Sequence, residues 1–271
     1  MDGSEALTTF APEPAAALDR ALAAGALPAA AAVPGRVLGL EPLVVETPQH
    51  PLITSFAEQF AADVTGIDDL QRAELAEATS DRMFPVVMAI WLGDWVPRIR
   101  VALDQLFGPG DWTTPAPDDG DRWTALDELQ QAIARLHAVD PVTTELVRLR
   151  GARQHQCRLC QSLRSRSAMV AGADESTFAA VDDAANSDLS DAQKAALALT
   201  DALIWTPAQV PTAVRGHFTD EQVVELVLDV ARNAQNKIAV ALAADDPHVD
   251  EGVEIYDINP DGTLTYGLAA P

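Results

Sequence analysis

Both cysteines of the chain fall in one stretch, Glu145 to Gly172, as Cys157-Arg158-Leu159-Cys160. A C-x-x-C on a helix puts its two sulfurs on one face, within reach of an intramolecular disulfide. Such a pair cycles between dithiol and disulfide. With 2 Cys in all, the spacing uses the whole supply and excludes a framework of several bridges. Redox chemistry is the first reading. Two others stand beside it: cysteines that pack as small hydrophobes, and half of a zinc site that His155, His137, His217 or carboxylates would complete at no recognisable spacing.

The surroundings bear on the choice. Arg148, Arg150, Arg153, Arg158, Arg164 and Arg166 crowd this segment of a protein whose formal net charge is -23. Nearby cations favour a thiolate over a thiol, although an acid on a solvated helix face is the ordinary partner of any one arginine. Glu145 is the candidate base. On one straight helix it would lie about 22 Å from Cys160 at the usual rise per residue. For Glu145 to act on a thiol the chain must therefore break, at Gly151 or at Gln154-His155-Gln156. The cysteines then open a new helix whose dipole favours a thiolate at the first of them, Cys157.

Glu145, eleven residues, then Cys157-x-x-Cys160, followed by Ala171-Gly-Ala-Asp-Glu175, resembles the alkylhydroperoxidase D and carboxymuconolactone decarboxylase family. The likeness continues through Leu189-Ser-Asp-Ala-Gln-Lys-Ala-Ala-Leu197 and Phe218-Thr-Asp-Glu-Gln-Val-Val-Glu225, and covers roughly residues 123 to 245 on the usual length of such a domain. It implies an all-α fold, an alkylhydroperoxidase D-like helical bundle that forms homo-oligomers. It also implies a thiol pair that reduces peroxides, with Cys160 attacking, Cys157 resolving and Glu145 moving the proton. The family's histidine four residues after the second cysteine is Arg164 in this chain. An arginine is no base at neutral pH, but it can hold a thiolate by charge. His155, two residues before Cys157, is the candidate substitute.

No nucleotide loop, haem motif or flavin fingerprint is visible. The expectation is an enzyme without cofactor or metal, acting on a peroxide and reset by a dithiol protein or small thiol. The missing histidine keeps open a thiol-disulfide exchange protein or redox sensor. A cofactor-free lactone decarboxylase and a helical assembly protein with a vestigial site are further alternatives.

The rest of the chain reads as scaffold. In 271 residues, 41 acidic side chains face 18 basic ones, which argues against nucleic acid or an anionic membrane as partner. An acidic start without a long apolar run argues against export and for the cytoplasm. Residues 1–50, rich in Ala and Pro, read as an arm loosely folded or draped on a neighbour. Residues 51–107 read as a helical half without cysteines, with Pro97 expected to kink or divide its last helix. That helix ends Arg98-Ile-Arg-Val-Ala-Leu103, which echoes Lys237-Ile-Ala-Val-Ala-Leu242, with Asp94 at the offset of Asn233. The two halves are therefore candidates for a degenerate repeat. Residues 108–122 have the Gly, Pro and Asp density of a linker, and 123–245 form the C-x-x-C domain. Asn233 and Asn236, on a mostly apolar helix, are expected either to satisfy buried backbone or to line a site, the first being preferred. The tail, 246–271, holds a short β-hairpin at Val253–Ile258 and Thr263–Tyr266. Two strands are marginal alone, so the hairpin must pack on the helical body or another subunit, and an interface is expected.

Overall fold

Thr219 and Gln222 close a capping box at the start of one helix, and Ser190 and Gln193 do so at another. Asp140 caps a third, whose first residue is Pro141. In the computed structural model, which describes residues 1–46 and 50–271, these open α13, α12 and α8. The helices in order are α1 (Gly3–Phe10), α2 (Pro12–Ala23), α3 (Val33–Val37), α4 (Pro51–Ala62), α5 (Asp69–Thr79), α6 (Met83–Phe107) and α7 (Arg122–Ala134). They continue as α8 (Pro141–Gln154), α9 (Arg158–Gln161), α10 (Arg166–Val170), α11 (Glu175–Ala179), α12 (Asp191–Trp205), α13 (Asp220–Asn233) and α14 (Asn236–Ala241). The strands are β1 (Leu163–Ser165), β2 (Glu254–Ile258) and β3 (Leu264–Leu268). The chain is thus mostly helical with one small sheet.

The N-terminal segment is not a loose arm. Ala6, Leu7, Ala17, Leu18, Ala21 and Leu22 are buried, α1 packs on α6 and α13, and α2 packs along α7. Small residues make that approach possible: a Cβ on Gly3 would press on the α6 backbone at Leu103 and Asp104. Residues 47–49 of the expected arm lie outside the described residues. Helix α6 is not divided at Pro97 and runs unbroken for 25 residues. Its Gly93 lies so close to the turn at 29–32 that a Cβ would meet the Ala31 carbonyl. Buried side chains from α1 through α6 to α14 belong to one hydrophobic core, and Leu146, Leu149, Phe178, Val181 and Leu197 form a second, smaller one beside α8.

The two echoing cations meet on one carboxylate. Asp94, fully buried on α6, accepts from Arg98 Nε at 2.8 Å and from Lys237 Nζ at 2.6 Å. The Arg98 guanidinium also donates to the carbonyls of Leu203, Ile204 and Ala61, and lies over the Trp95 ring. This network ties α6 to α4, α12 and α14. Trp91 and Trp95 are buried within it, with Trp91 Nε1 donating to the Ala234 carbonyl.

The C-terminal hairpin forms as expected, and the helical body supplies a third strand. β1 pairs in parallel with β2, Leu163 opposite Glu254 and Ser165 opposite Tyr256, while β2 and β3 pair antiparallel. β1 follows directly after the cysteine helix, so the hairpin covers the thiol segment. Gly262 in its turn has φ +88 and sits where a Cβ would collide with the α7 backbone at Gln131.

Asp94→Asn would leave two buried cations without a counter-charge. It is expected to cost about 3–5 kcal/mol, read as a fall in the urea unfolding midpoint; an unchanged midpoint would mean that the network adds nothing to stability.

Candidate thiol site

Helix α8 ends at Gln154, not at Gly151. His155 follows as its C-cap, and Gln156 adopts a left-handed φ of +52 that turns the chain back. Cys157 then caps the short α9, its Sγ accepting from the Cys160 N–H at 3.3 Å. The two sulfurs stand 2.6 Å apart, both as free cysteines, with Cys157 buried and Cys160 partly exposed. The first N–H groups of α9 are already engaged: Arg158 N–H donates to the Asp245 carboxylate and Leu159 N–H to the Asp245 carbonyl. A helix of four residues whose N-terminus faces a carboxylate has little field left to activate Cys157.

The charge balance instead falls on Cys160. The Cys157 thiol donates to it, and that bond, helped by the Arg148 guanidinium and the Asn236 amide, holds Cys160 below the ordinary thiol value against the cost of burial. The same bond, with burial, pushes Cys157 far up. The pair therefore ionises at Cys160, with Cys157 as its proton-bearing neighbour.

Glu145 does not reach the thiols. Its carboxylate is gripped by Arg148 through Nε and Nη2, each at 2.7 Å, and also accepts from Ser165 N–H at 3.0 Å and Tyr256 O–H at 2.9 Å. No sulfur is among its hydrogen-bond partners. Arg148 stands between: its Nη1 donates to the Cys160 carbonyl at 2.7 Å and its Nη2 to the Leu163 carbonyl at 2.9 Å. Burial, with the nearby Glu145 charge, pushes the Tyr256 phenol well above its ordinary range, so it remains a donor.

Two supporting roles expected from the sequence are not met. Arg164 is no counter-charge to a thiolate, because it pairs with Glu175, donates to the carbonyls of Gln161 and Leu163, and lies over the Phe178 ring. It is the middle residue of β1, and strand alternation turns it away from the face of Leu163 and Ser165. His155 is buried, its Nδ1 2.8 Å from Asn236 Oδ1 and its ring edge-on to Trp95. Burial and then the Lys237 charge hold it down to about 3, so it stays neutral, and neither sulfur is among its hydrogen-bond partners. Asn236 and Asn233 line the Cys160 cavity, the second of the two roles expected for them.

Cys160 opens into a cavity of about 570 Å³. Arg148, Asn236 and Tyr256 surround it on the thiol side, while Phe84, Trp123, Leu264 and Tyr266 stand towards solvent. A smaller cavity of about 120 Å³ lies behind, sharing Arg148, Arg232, Asn233 and Tyr256 with the first. Asp229 lines this rear cavity with an Oδ2 that has no hydrogen-bond partner. Burial, then the neighbouring Glu225 charge, push it up to about 8. Among the described residues no group of three or more His, Cys, Asp and Glu is placed to hold a metal ion, and no helix is long and apolar enough to cross a membrane.

The chain is 44% identical over 236 residues to the uncharacterized proteins MT2376 and Rv2313c of two Mycobacterium tuberculosis strains, covering 82% of this chain and 82% of each relative. It belongs to the family that those proteins form. No family model matches the chain, and no solved structure matches it. The resemblance to alkylhydroperoxidase D therefore rests on Glu145, Cys157, Cys160 and the segments around them.

Asp229 gives a pH dependence of known sign. In the fold it keeps its proton to about pH 8, whereas an unperturbed Asp ionises near 3.8. The unfolded chain therefore releases that proton first, and stability falls as pH rises from about 4 towards 8. Asp229→Asn removes this loss, so urea unfolding at pH 5, 6, 7 and 8 should show the variant gaining on the parent by up to about 1.4 kcal/mol per pH unit. A constant gap would mean that Asp229 does not titrate in this window.

Proposed function

We propose that this chain is a thiol-dependent peroxidase of alkylhydroperoxidase type. What carries the reading is the division of the sulfurs: Cys160 faces the cavity beside Arg148 and Asn236, while Cys157 is buried behind it at 2.6 Å. The Cys160 thiolate attacks the outer oxygen of a hydroperoxide and the O–O bond breaks. The alcohol leaves after its alkoxide takes a proton from water, and Cys160 becomes a sulfenic acid. The Cys157 thiol then displaces hydroxide from that sulfur, giving a disulfide and water. A dithiol protein or small thiol reduces the disulfide and is itself oxidised. In this scheme Glu145 is not the base at sulfur; it holds Arg148, and Arg148 holds the Cys160 loop. The protein works in the cytoplasm as a homo-oligomer, without cofactor, on the pattern of the family that it resembles.

A second reading, thiol-disulfide exchange or redox sensing, is favoured by one observation: Arg164 stands at the relay histidine's position and is consumed by Glu175. The two part in a stopped-flow experiment that follows free thiol on adding an organic hydroperoxide. The peroxidase reading expects fast loss in the parent, loss that stops at sulfenic acid in Cys157→Ser, and no fast phase in Cys160→Ser. A parent rate no better than that of a free thiol would leave disulfide exchange.

A further inference from the structure

Among the described residues, Arg232 is the one cation lining the thiol cavity that no carboxylate binds. It is half-buried on the last turn of α13 and lines both the main and the rear cavity, yet it has no ion-pair or hydrogen-bond partner among the described residues. In a protein with 41 acidic and 18 basic side chains, cations in walls and cores find carboxylates easily. Arg148, Arg158 and Arg164 nearby are all paired. The other charged groups facing the main cavity are Arg148, neutralised by Glu145, and Asp127, which is exposed and accepts from Gln131. The Arg232 charge reaches Asp229 one turn before it in the rear cavity, although no hydrogen bond or ion pair joins them, and it also acts on Tyr256 and Tyr266 of the sheet, which border the same space.

The opposite chemistry lines the way in. Of the eleven large hydrophobic side chains most exposed among the described residues, four border this cavity: Phe84, Trp123, Leu264 and Tyr266. Phe84 and Trp123 pack ring to ring with centroids 5.2 Å apart, and Trp123 is half exposed at 50%. Exposed aromatics gathered on one concavity mark a binding surface. A volume of about 570 Å³ suits a ligand of small-molecule size.

We propose that the cavity binds an amphipathic carboxylate, its acid group on Arg232 and its apolar body along Trp123, Phe84, Leu264 and Tyr266. A planar guanidinium takes a carboxylate through two parallel hydrogen bonds, which a partly desolvated wall strengthens. The inference rests on the thiol reading only for what the ligand carries to Cys160, namely a hydroperoxide on a carboxylate-bearing chain. The binding itself needs no thiol chemistry.

Isothermal titration of the reduced full chain with decanoate and with decanol, neither of which reacts with thiols, tests it. The parent should bind decanoate about tenfold or more tightly than decanol, as a charge-assisted pair implies. Arg232→Gln should lose that preference while keeping decanol affinity, and Arg232→Lys, which keeps the charge but not the fork, should retain part of it. Equal binding of acid and alcohol, no binding of either, or a preference that survives Arg232→Gln would overturn the proposal. Carboxylate preference without peroxide turnover would sink the peroxidase reading alone; turnover of hydroperoxides without such preference would sink this one alone.

Discussion

One guanidinium holds the thiol site in place. Arg148 leaves α8 and gives two hydrogen bonds to Glu145, one to the Cys160 carbonyl and one to the Leu163 carbonyl. It spans the fold-back from both sides. Tyr256 then closes the arrangement from the hairpin, its hydroxyl on Glu145 and its ring under Arg148 at 5.3 Å. A buried pair of this kind is weak evidence for stability in itself, since desolvation offsets much of its attraction. Its work is positional: it fixes where the Cys160 segment lies and which way the sheet covers it.

The helical body supports that arrangement from behind. Asp94 gathers Arg98 and Lys237, and Lys237 follows directly on Asn236, which bonds to His155 and lines the cavity beside Cys160. The register of α14 against α6 is therefore felt at the thiol. The N-terminal helices contribute by packing α6 and α7, with Ala and Gly letting backbones approach closely. Phe84 of α6 and Trp123 of α7 then form one wall of the cavity.

Much of this was legible in the sequence. The caps at Thr219 and Ser190, the helical pattern, the hairpin and the turn between α8 and the cysteines all follow from local chemistry. What was not legible is long-range. Tyr256 lies 111 residues from Glu145, and nothing local links a tyrosine in a hairpin to a carboxylate on a helix. Arg148 was one arginine in a crowd, and only its position one turn after Glu145, on the face that turns inward, distinguishes it. Arg164 looked useful because a family pattern put it there; strand alternation, invisible in a three-residue segment, sends it to Glu175. The N-terminal segment looked loose because short Ala-rich helices carry little pattern of their own, and close packing supplies their stability.

The measurement nearest the centre of the account is the pH profile of alkylation at Cys160, resolved from Cys157 by mass spectrometry, in the parent and in Glu145→Gln. Glutamine keeps the shape and acceptor of the carboxylate but no longer neutralises Arg148. If Arg148, besides positioning the loop, adds its charge to the Cys157 hydrogen bond in holding the Cys160 thiolate, and Glu145 only holds Arg148, the midpoint of the profile moves to lower pH in the variant. A midpoint that stays or rises, with slower alkylation at neutral pH, would contradict the account and return Glu145 to the role of base.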